Sequence, residues 1–172
     1  LNGGSKRGVG TGQIVPAGSL RAPLNTQLES AQALVSVGAW TRAMDPIRDQ
    51  ASALRLPVFD ARLVPEPSFV TALGGGRVLA FAGIGDPEKF FATLRDAGLD
   101  VRACLPFPDH HRYRRGEAAD LIARGQRDGL VLVTTEKDLA RLAGQDDLAA
   151  LAGVVRPLPV RLVVDSDGAF RD

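Results

Sequence analysis

With 172 residues, the chain is long enough for one ordinary domain with its own core, and 45% hydrophobic against 24% charged residues excludes a disordered polypeptide. Lys+Arg 21 against Asp+Glu 20 leaves no basic excess, so the charge balance gives no support to nucleic-acid binding. A single cysteine, Cys104, excludes an internal disulfide and zinc sites of the paired-cysteine kind, and fits a reducing compartment. No apolar run approaches the roughly 20 residues of a membrane span, and the opening residues lack the pattern of a signal peptide.

Residues 1–12 carry five glycines and no apolar periodicity, which reads as a loop. A chain that opens on a loop, with Leu1 in place of Met, is expected to be a fragment; processing is the other explanation. A short extended piece at 13–15 runs into the turn Pro16-Ala17-Gly18. Asn25 is placed to cap a helix to about residue 36, with Leu28, Ala31, Leu34 and Val35 on one face. Residues 40–56 form a weaker helical stretch interrupted at Pro46. Residues 58–64 alternate apolar and polar as an antiparallel strand would, and Pro65 and Pro67 close it.

The pattern then changes. After the Gly74-Gly75-Gly76 turn, RVLAFA (77–82) is a continuous apolar strand, as expected where both faces of a parallel sheet are covered. Pro87 opens a helix that Gly98 ends. A strand at 101–105, a helix at 116–127, the buried strand LVLVT (130–134), a helix at 136–142 and a last strand at 160–164 follow. The alternation predicts an α/β fold with a mostly parallel sheet flanked by helices. Function is then expected in the loops past the carboxyl ends of the strands: 83–86, 106–113 and 134–138.

Four segments there and upstream could carry chemistry. Asp109, His110 and His111 follow a strand, and hold the only two histidines. Histidine exchanges protons near neutral pH and binds phosphate, and an adjacent carboxylate can fix its tautomer. Neighbouring side chains on extended backbone point opposite ways, so one of the two is expected to face a site. The competing reading is a solvated loop histidine. Thr134 to Asp138 reads first as a helix cap, Thr135 with Asp138, leaving Lys137 able to reach an anion. Gly83-Ile84-Gly85-Asp86 lacks the third glycine of a dinucleotide fingerprint and reads as a tight turn with Asp86 capping a helix. Gly8 to Gly12 lacks the Lys-Ser/Thr pair of a P-loop, and Arg21 is the better anion ligand of that region. The cluster Arg112, Arg114, Arg115 could attract an anionic lipid or form a solvated patch. Cys104, on an apolar strand, is expected to be inert core.

Taken together, the segments resemble one family in order. GVGTGQIVPAGSLRAPL (8–24), FAGIGDPEKFFATL (81–94), FPDHH (107–111) and TTEKD (134–138) are similar to conserved-type blocks of tetraacyldisaccharide 4'-kinases, along nearly the whole chain. That family phosphorylates the 4'-hydroxyl of tetraacyldisaccharide 1-phosphate in lipid A biosynthesis, using ATP and Mg, at the cytoplasmic face of the bacterial inner membrane. The resemblance implies that this chain is the C-terminal, Rossmann-like half of a P-loop kinase. His110 and Arg21 would then belong to the active-site cleft, with Asp109 and Lys137 in support. It also implies a division into 1–24, a remnant of the N-terminal kinase half; 25–67, a linker and helical region with an extended strand; and 68–172, the C-terminal α/β domain. Ala22 stands where the family pattern often has glutamate, Ser19 replaces a proline, and Thr11 and Asp86 replace asparagines.

No G-x-x-x-x-G-K-[ST] occurs in the sequence. The chain alone is therefore expected to be soluble, to bind no cofactor tightly and to be inactive. Its partners would be the lipid substrate, the missing N-terminal half and the membrane surface, with no nucleic acid. An exposed apolar surface is expected around residues 1–24, where the other half would pack. The alternative is a non-catalytic α/β module that binds an anionic ligand or partner.

Overall fold

The computed structural model describes residues 22–165; Arg21, the 8–12 loop and most of the segment expected to expose an apolar surface lie outside them. In chain order the first elements are α1 (Leu24–Glu29), β1 (Leu34–Val37), a 3-10 turn (Arg42–Met44), α2 (Asp45–Ala53), β2 (Val58–Pro65) and α3 (Pro67–Leu73). Then come β3 (Arg77–Ala82), α4 (Pro87–Asp96), β4 (Asp100–Pro106), α5 (Arg115–Asp128), β5 (Val131–Thr135) and α6 (Glu136–Ala143). A 3-10 turn (Asp146–Leu148), α7 (Ala149–Val154), β6 (Arg156–Leu158) and β7 (Val160–Asp165) complete the described chain. The chain divides into two compact units, one holding described residues 22–64 and 162–165, the other Pro65–Arg161.

The first unit contains a three-stranded sheet in the order β1-β2-β7. Its core joins Leu28, Leu34, Met44, Ile47 and Ala51. The helix expected to reach residue 36 stops at Glu29, and β1 takes over at Leu34. The spacing of Leu28, Ala31, Leu34 and Val35 fits a helix over a short window. Val35 and Val37 are β-branched, however, and β2 offers them a ladder. β2 pairs parallel with β1, Leu34 opposite Val58 and Val37 opposite Ala61, while on its other side it runs antiparallel to β7, with the Arg62 side chain on Asp165 and the Glu66 N–H on the Pro159 carbonyl. Its alternation records a half-covered strand, with Phe59 and Ala61 buried and Arg62 exposed. Pro46 sits in the first turn of α2, where its missing N–H costs nothing, and so begins a helix instead of breaking one.

The second unit is built on a parallel four-stranded sheet in the order β4-β3-β5-β6. Val78, Leu79, Ala80, Phe81 and Ala82 of β3 have no exposed surface, which is why this strand reads as an unbroken apolar run. On one face Val78, Ala80 and Ala82 meet Phe90, Phe91 and Leu94 of α4. On the other, Leu79 and Phe81 meet Leu121 of α5, Leu142 of α6 and Leu151 of α7. Buried Thr134 donates its hydroxyl to the Phe81 carbonyl at 2.7 Å, stitching β5 to β3.

Three features of this unit differ from the sequence expectation. Pro67 opens α3 instead of only closing the preceding strand, and Gly74, at φ 57, ends that helix. The strand at 160–164 does not join the larger sheet: β7 lies beside β2, and the fourth parallel strand is β6. β6 is three residues long with Pro157 at its centre, and proline is tolerated there because the strand is at the sheet edge.

The strand order fixes where polar side chains can gather. The chain leaves β3 through α4 to β4 on one side, then returns through α5 on the opposite face to β5 on the other side. The loops after β3 and β5 therefore leave toward opposite faces of the sheet at a switch point, where polar side chains can gather at the carboxyl ends of the strands.

Candidate functional site at the carboxyl ends of β3, β4 and β5

α6 begins where β5 ends. Thr135 accepts the Asp138 N–H at 3.1 Å and donates its own hydroxyl to Asp138 Oδ2 at 2.7 Å. The cap thus fixes the Asp138 carboxyl as well as the helix start. Asp138 has no exposed surface, and a carboxylate there needs donors on both oxygens. Its Oδ2 also accepts the Gly83 N–H at 3.1 Å, and its Oδ1 accepts Arg141 Nη1 at 2.9 Å. Arg141, one turn further along α6, also reaches the loops after β3 and β4. Nη1 reaches the Gly83 carbonyl at 2.8 Å, and Nη2 reaches His110 Nδ1 at 3.2 Å.

Gly83 is the hinge of this arrangement because of space. A Cβ there would come within 3.0 Å of His111 Cβ, 3.1 Å of Asp138 Oδ1 and 3.3 Å of the Tyr113 hydroxyl. Glycine lets the loop after β3 press against the loops after β4 and β5.

The adjacent histidines diverge. His111 is half-buried among rings: it stacks on Phe107 at 4.8 Å between centroids and meets Tyr113 edge-on at 5.0 Å. Its Nε2 lies 3.0 Å from Glu117 Oε2, and that oxygen also accepts the Arg114 N–H at 2.8 Å at the start of α5. Burial raises the Glu117 pKa, but the His111 hydrogen bond and the Arg114 N–H outweigh it and hold the carboxyl below its ordinary value. His110 does the opposite: its side chain is 82% exposed. Its backbone is held all the same, at φ 58, with its N–H donated to the Gly83 carbonyl at 3.1 Å. Asp109 Oδ1 stands 3.8 Å from His110 Nε2.

Tyr113 lies beneath. Its hydroxyl is buried, has no partner with hydrogen-bond geometry among the described residues, and faces the Asp138 carboxylate. Burial first, and that carboxylate second, hold its pKa far above the ordinary tyrosine value.

The loops after β3, β4 and β5 are thus brought together, and His110 stands open on top with Asp109 beside it. Lys137 is exposed on α6 and enters none of these hydrogen bonds, and Arg112, Arg114 and Arg115 are exposed as well. Asp86 accepts the Lys89 N–H at 3.3 Å and caps α4. Arg141 and Tyr113 were not singled out in the sequence. For Arg141 the available signal was its position three residues after Asp138 on one helix face; nothing local linked it to His110. Among the described residues no set of three His, Cys, Asp or Glu side chains converges as metal ligands. An apolar cleft of roughly 350 Å³, lined by Ile122, Gly125, Leu130, Leu132 and Val154, lies at the amino end of β5 and includes none of the network residues.

Helices on both faces of a parallel sheet, with a polar network at the switch point, define an α/β protein of the kind that includes the P-loop kinases. A family-level match over residues 3–172 goes further: the chain belongs to the tetraacyldisaccharide-1-P 4'-kinase (LpxK) family. It is 50% identical to tetraacyldisaccharide 4'-kinase of Rhodopseudomonas palustris (strain BisA53), over 97% of this chain and 48% of that protein. It is 50% identical to the enzyme of the same name from Nitrobacter hamburgensis, over 96% of this chain and 49% of that protein. In structure it is similar to Aquifex aeolicus LpxK crystallised with ATP, with TM-score 0.51 and 25% identity over 89% of this chain and 44% of that one. The chain therefore spans about half the length of the curated relatives it matches.

Proposed function

We propose that this chain forms the C-terminal half of a tetraacyldisaccharide 4'-kinase. The complete enzyme transfers the γ-phosphoryl group of ATP to the 4'-hydroxyl of tetraacyldisaccharide 1-phosphate, at the cytoplasmic face of the inner membrane. Family membership supports the reading, as does the 48% share of a relative that the chain covers, which leaves room for a nucleotide-binding half. In this reading the P-loop half supplies the cradle for ATP and magnesium, whose charge neutralisation drives phosphoryl transfer. This half supplies His110, donating to or accepting from the transferring phosphate, and Arg21, whose planar fork suits phosphate oxygens.

The observation that carries the assignment of His110 is the contrast between its 82% exposed side chain and a backbone whose N–H is tied to the Gly83 carbonyl at a left-handed φ of 58. A merely solvated loop histidine has no need of such anchoring. No described helix is long and apolar enough to cross a membrane, so contact with the lipid substrate is expected at the membrane surface.

The test is phosphoryl transfer to tetraacyldisaccharide 1-phosphate with Mg-ATP. The chain alone is expected to give no turnover. The chain fused behind the P-loop half of the Rhodopseudomonas palustris relative is expected to be active, and to lose activity on His110→Asn or Arg21→Ala. Full activity of both variants in an active fusion would sink the site assignment; turnover by the 172-residue chain alone would sink the two-half reading.

A further inference from the structure

We infer that Arg141 is a positioning residue for His110: clamped by buried Asp138, it occupies Nδ1 of the imidazole and so fixes the tautomer that carries its proton on Nε2. The inference rests on the reading of His110 as an active-site group.

The argument starts from which groups can donate. A guanidinium has donors only and stays protonated in proteins. At 3.2 Å from Arg141 Nη2, His110 Nδ1 must therefore act as acceptor. A neutral imidazole with Nδ1 as acceptor carries its proton on Nε2. The groups facing the ring are Arg141 at Nδ1 and Asp109 beside Nε2, the latter at 3.8 Å. An Nε2–H on this exposed ring is the right donor for an anionic oxygen such as that of a phosphoryl group.

Arg141 itself cannot drift. Its Nη1 is shared between Asp138 Oδ1 at 2.9 Å and the Gly83 carbonyl at 2.8 Å. Asp138 is in turn fixed by Thr135 and by the Gly83 N–H. The Gly83 carbonyl also accepts the His110 N–H, so ring and backbone of His110 are tied to one peptide group. His110 is exposed, and without Arg141 its ring has only backbone tethering and the distant Asp109 to orient it. The arrangement gives the aspartate of the TTEKD segment a role beyond capping α6: it anchors the cation that aims the histidine.

Two measurements test this. The first reads the ring nitrogens of His110 by 15N NMR in the 172-residue chain, with His111 as internal reference. The expected result is an unprotonated Nδ1 and a protonated Nε2. Arg141→Ala is expected to give a mixed-tautomer pattern at His110 only, and Arg141→Lys, which keeps a donor, to restore part of the original pattern. Identical His110 signals in the chain and in Arg141→Ala overturn the inference. The second compares kinetics in the active fusion with the P-loop half. Arg141→Ala is expected to lower kcat by on the order of tenfold to a hundredfold with little change in KM. It should add nothing further in a His110→Asn background. Additive losses overturn positioning through His110. If the ring signals respond as expected but His110→Asn retains full activity, the active-site reading fails, and the catalytic purpose of the clamp fails with it. Asp138→Asn, checked for folding by circular dichroism, is expected to reproduce the Arg141→Ala ring pattern; a folded variant with native His110 signals also counts against the inference.

Discussion

The buried carboxylate of Asp138 accepts the backbone N–H of Gly83, 55 residues earlier in the chain, at 3.1 Å. That one bond links the loop leaving β3 to the helix following β5, and it draws the loop after β4 in with them, because the Gly83 carbonyl serves both His110 and Arg141. The stability of the site therefore hangs on groups with no exposed surface.

Gly83→Ala is expected to destabilise the chain by about 1–3 kcal/mol, the usual cost of overpacking. The new methyl would meet a backbone-attached carbon of His111 at 3.0 Å, the clamped Asp138 Oδ1 at 3.1 Å and the buried Tyr113 hydroxyl at 3.3 Å, none of which can move aside cheaply. Urea denaturation measures it; an unchanged midpoint would show that the three loops are looser than described.

Asp138→Ala is expected to cost about 3–5 kcal/mol, because it removes one partner of a buried ion pair and leaves the Gly83 N–H without its acceptor. Asp138→Asn should cost less, since an amide oxygen can still accept one bond. The two midpoints in denaturant, compared side by side, check the order.

Tyr113 is the only tyrosine, which makes its titration readable. Its folded pKa is raised, by burial and then by Asp138, so folding favours the neutral phenol. The stability this contributes is fully present below the unfolded value of about 10 and is lost as pH rises beyond it. Tyrosinate absorbance is expected to emerge only together with loss of circular dichroism. Tyr113→Phe removes a buried hydroxyl that has no partner in hydrogen-bond geometry among the described residues, and is expected to be neutral or stabilising and to flatten the alkaline decline. Early tyrosinate in a folded chain would contradict the burial of that hydroxyl.

Glu117 works at the other end of the pH scale. Its folded pKa is lowered, against its own desolvation, by His111 and the Arg114 N–H. It therefore contributes stability above the unfolded carboxyl value of about 4.3, and that contribution is lost as pH falls through the lower folded value. Thermal unfolding of Glu117→Gln and the unaltered chain should differ near neutral pH and converge in acid. Parallel curves throughout would remove Glu117 from the acid dependence.

The larger sheet was legible in the sequence because strands covered on both faces are continuous apolar runs, and RVLAFA and LVLVT are both such runs. Shorter elements were not. β6 has three residues and a central proline, and α7 is one short apolar stretch beside it; neither has the length for a period to show. For β2 the alternation matched its antiparallel neighbour β7, and nothing local announced the parallel pairing with β1. In the site, chain proximity pointed to Asp109, His110 and Thr135 with Asp138. Arg141 needed the fold, because its bond to His110 spans 31 residues of sequence.

The left-handed backbone of His110, at φ 58, bears on how the residue should be probed. A side chain in that region is strained by on the order of 1 kcal/mol or more, glycine is not, and asparagine is strained less than most. An alanine scan would therefore keep the torsional penalty while deleting the ring and its tie to Arg141, and would blend a folding defect with a chemical one. Glycine and asparagine separate the two. Replacements at this position are best ranked by backbone tolerance before they are ranked by chemistry.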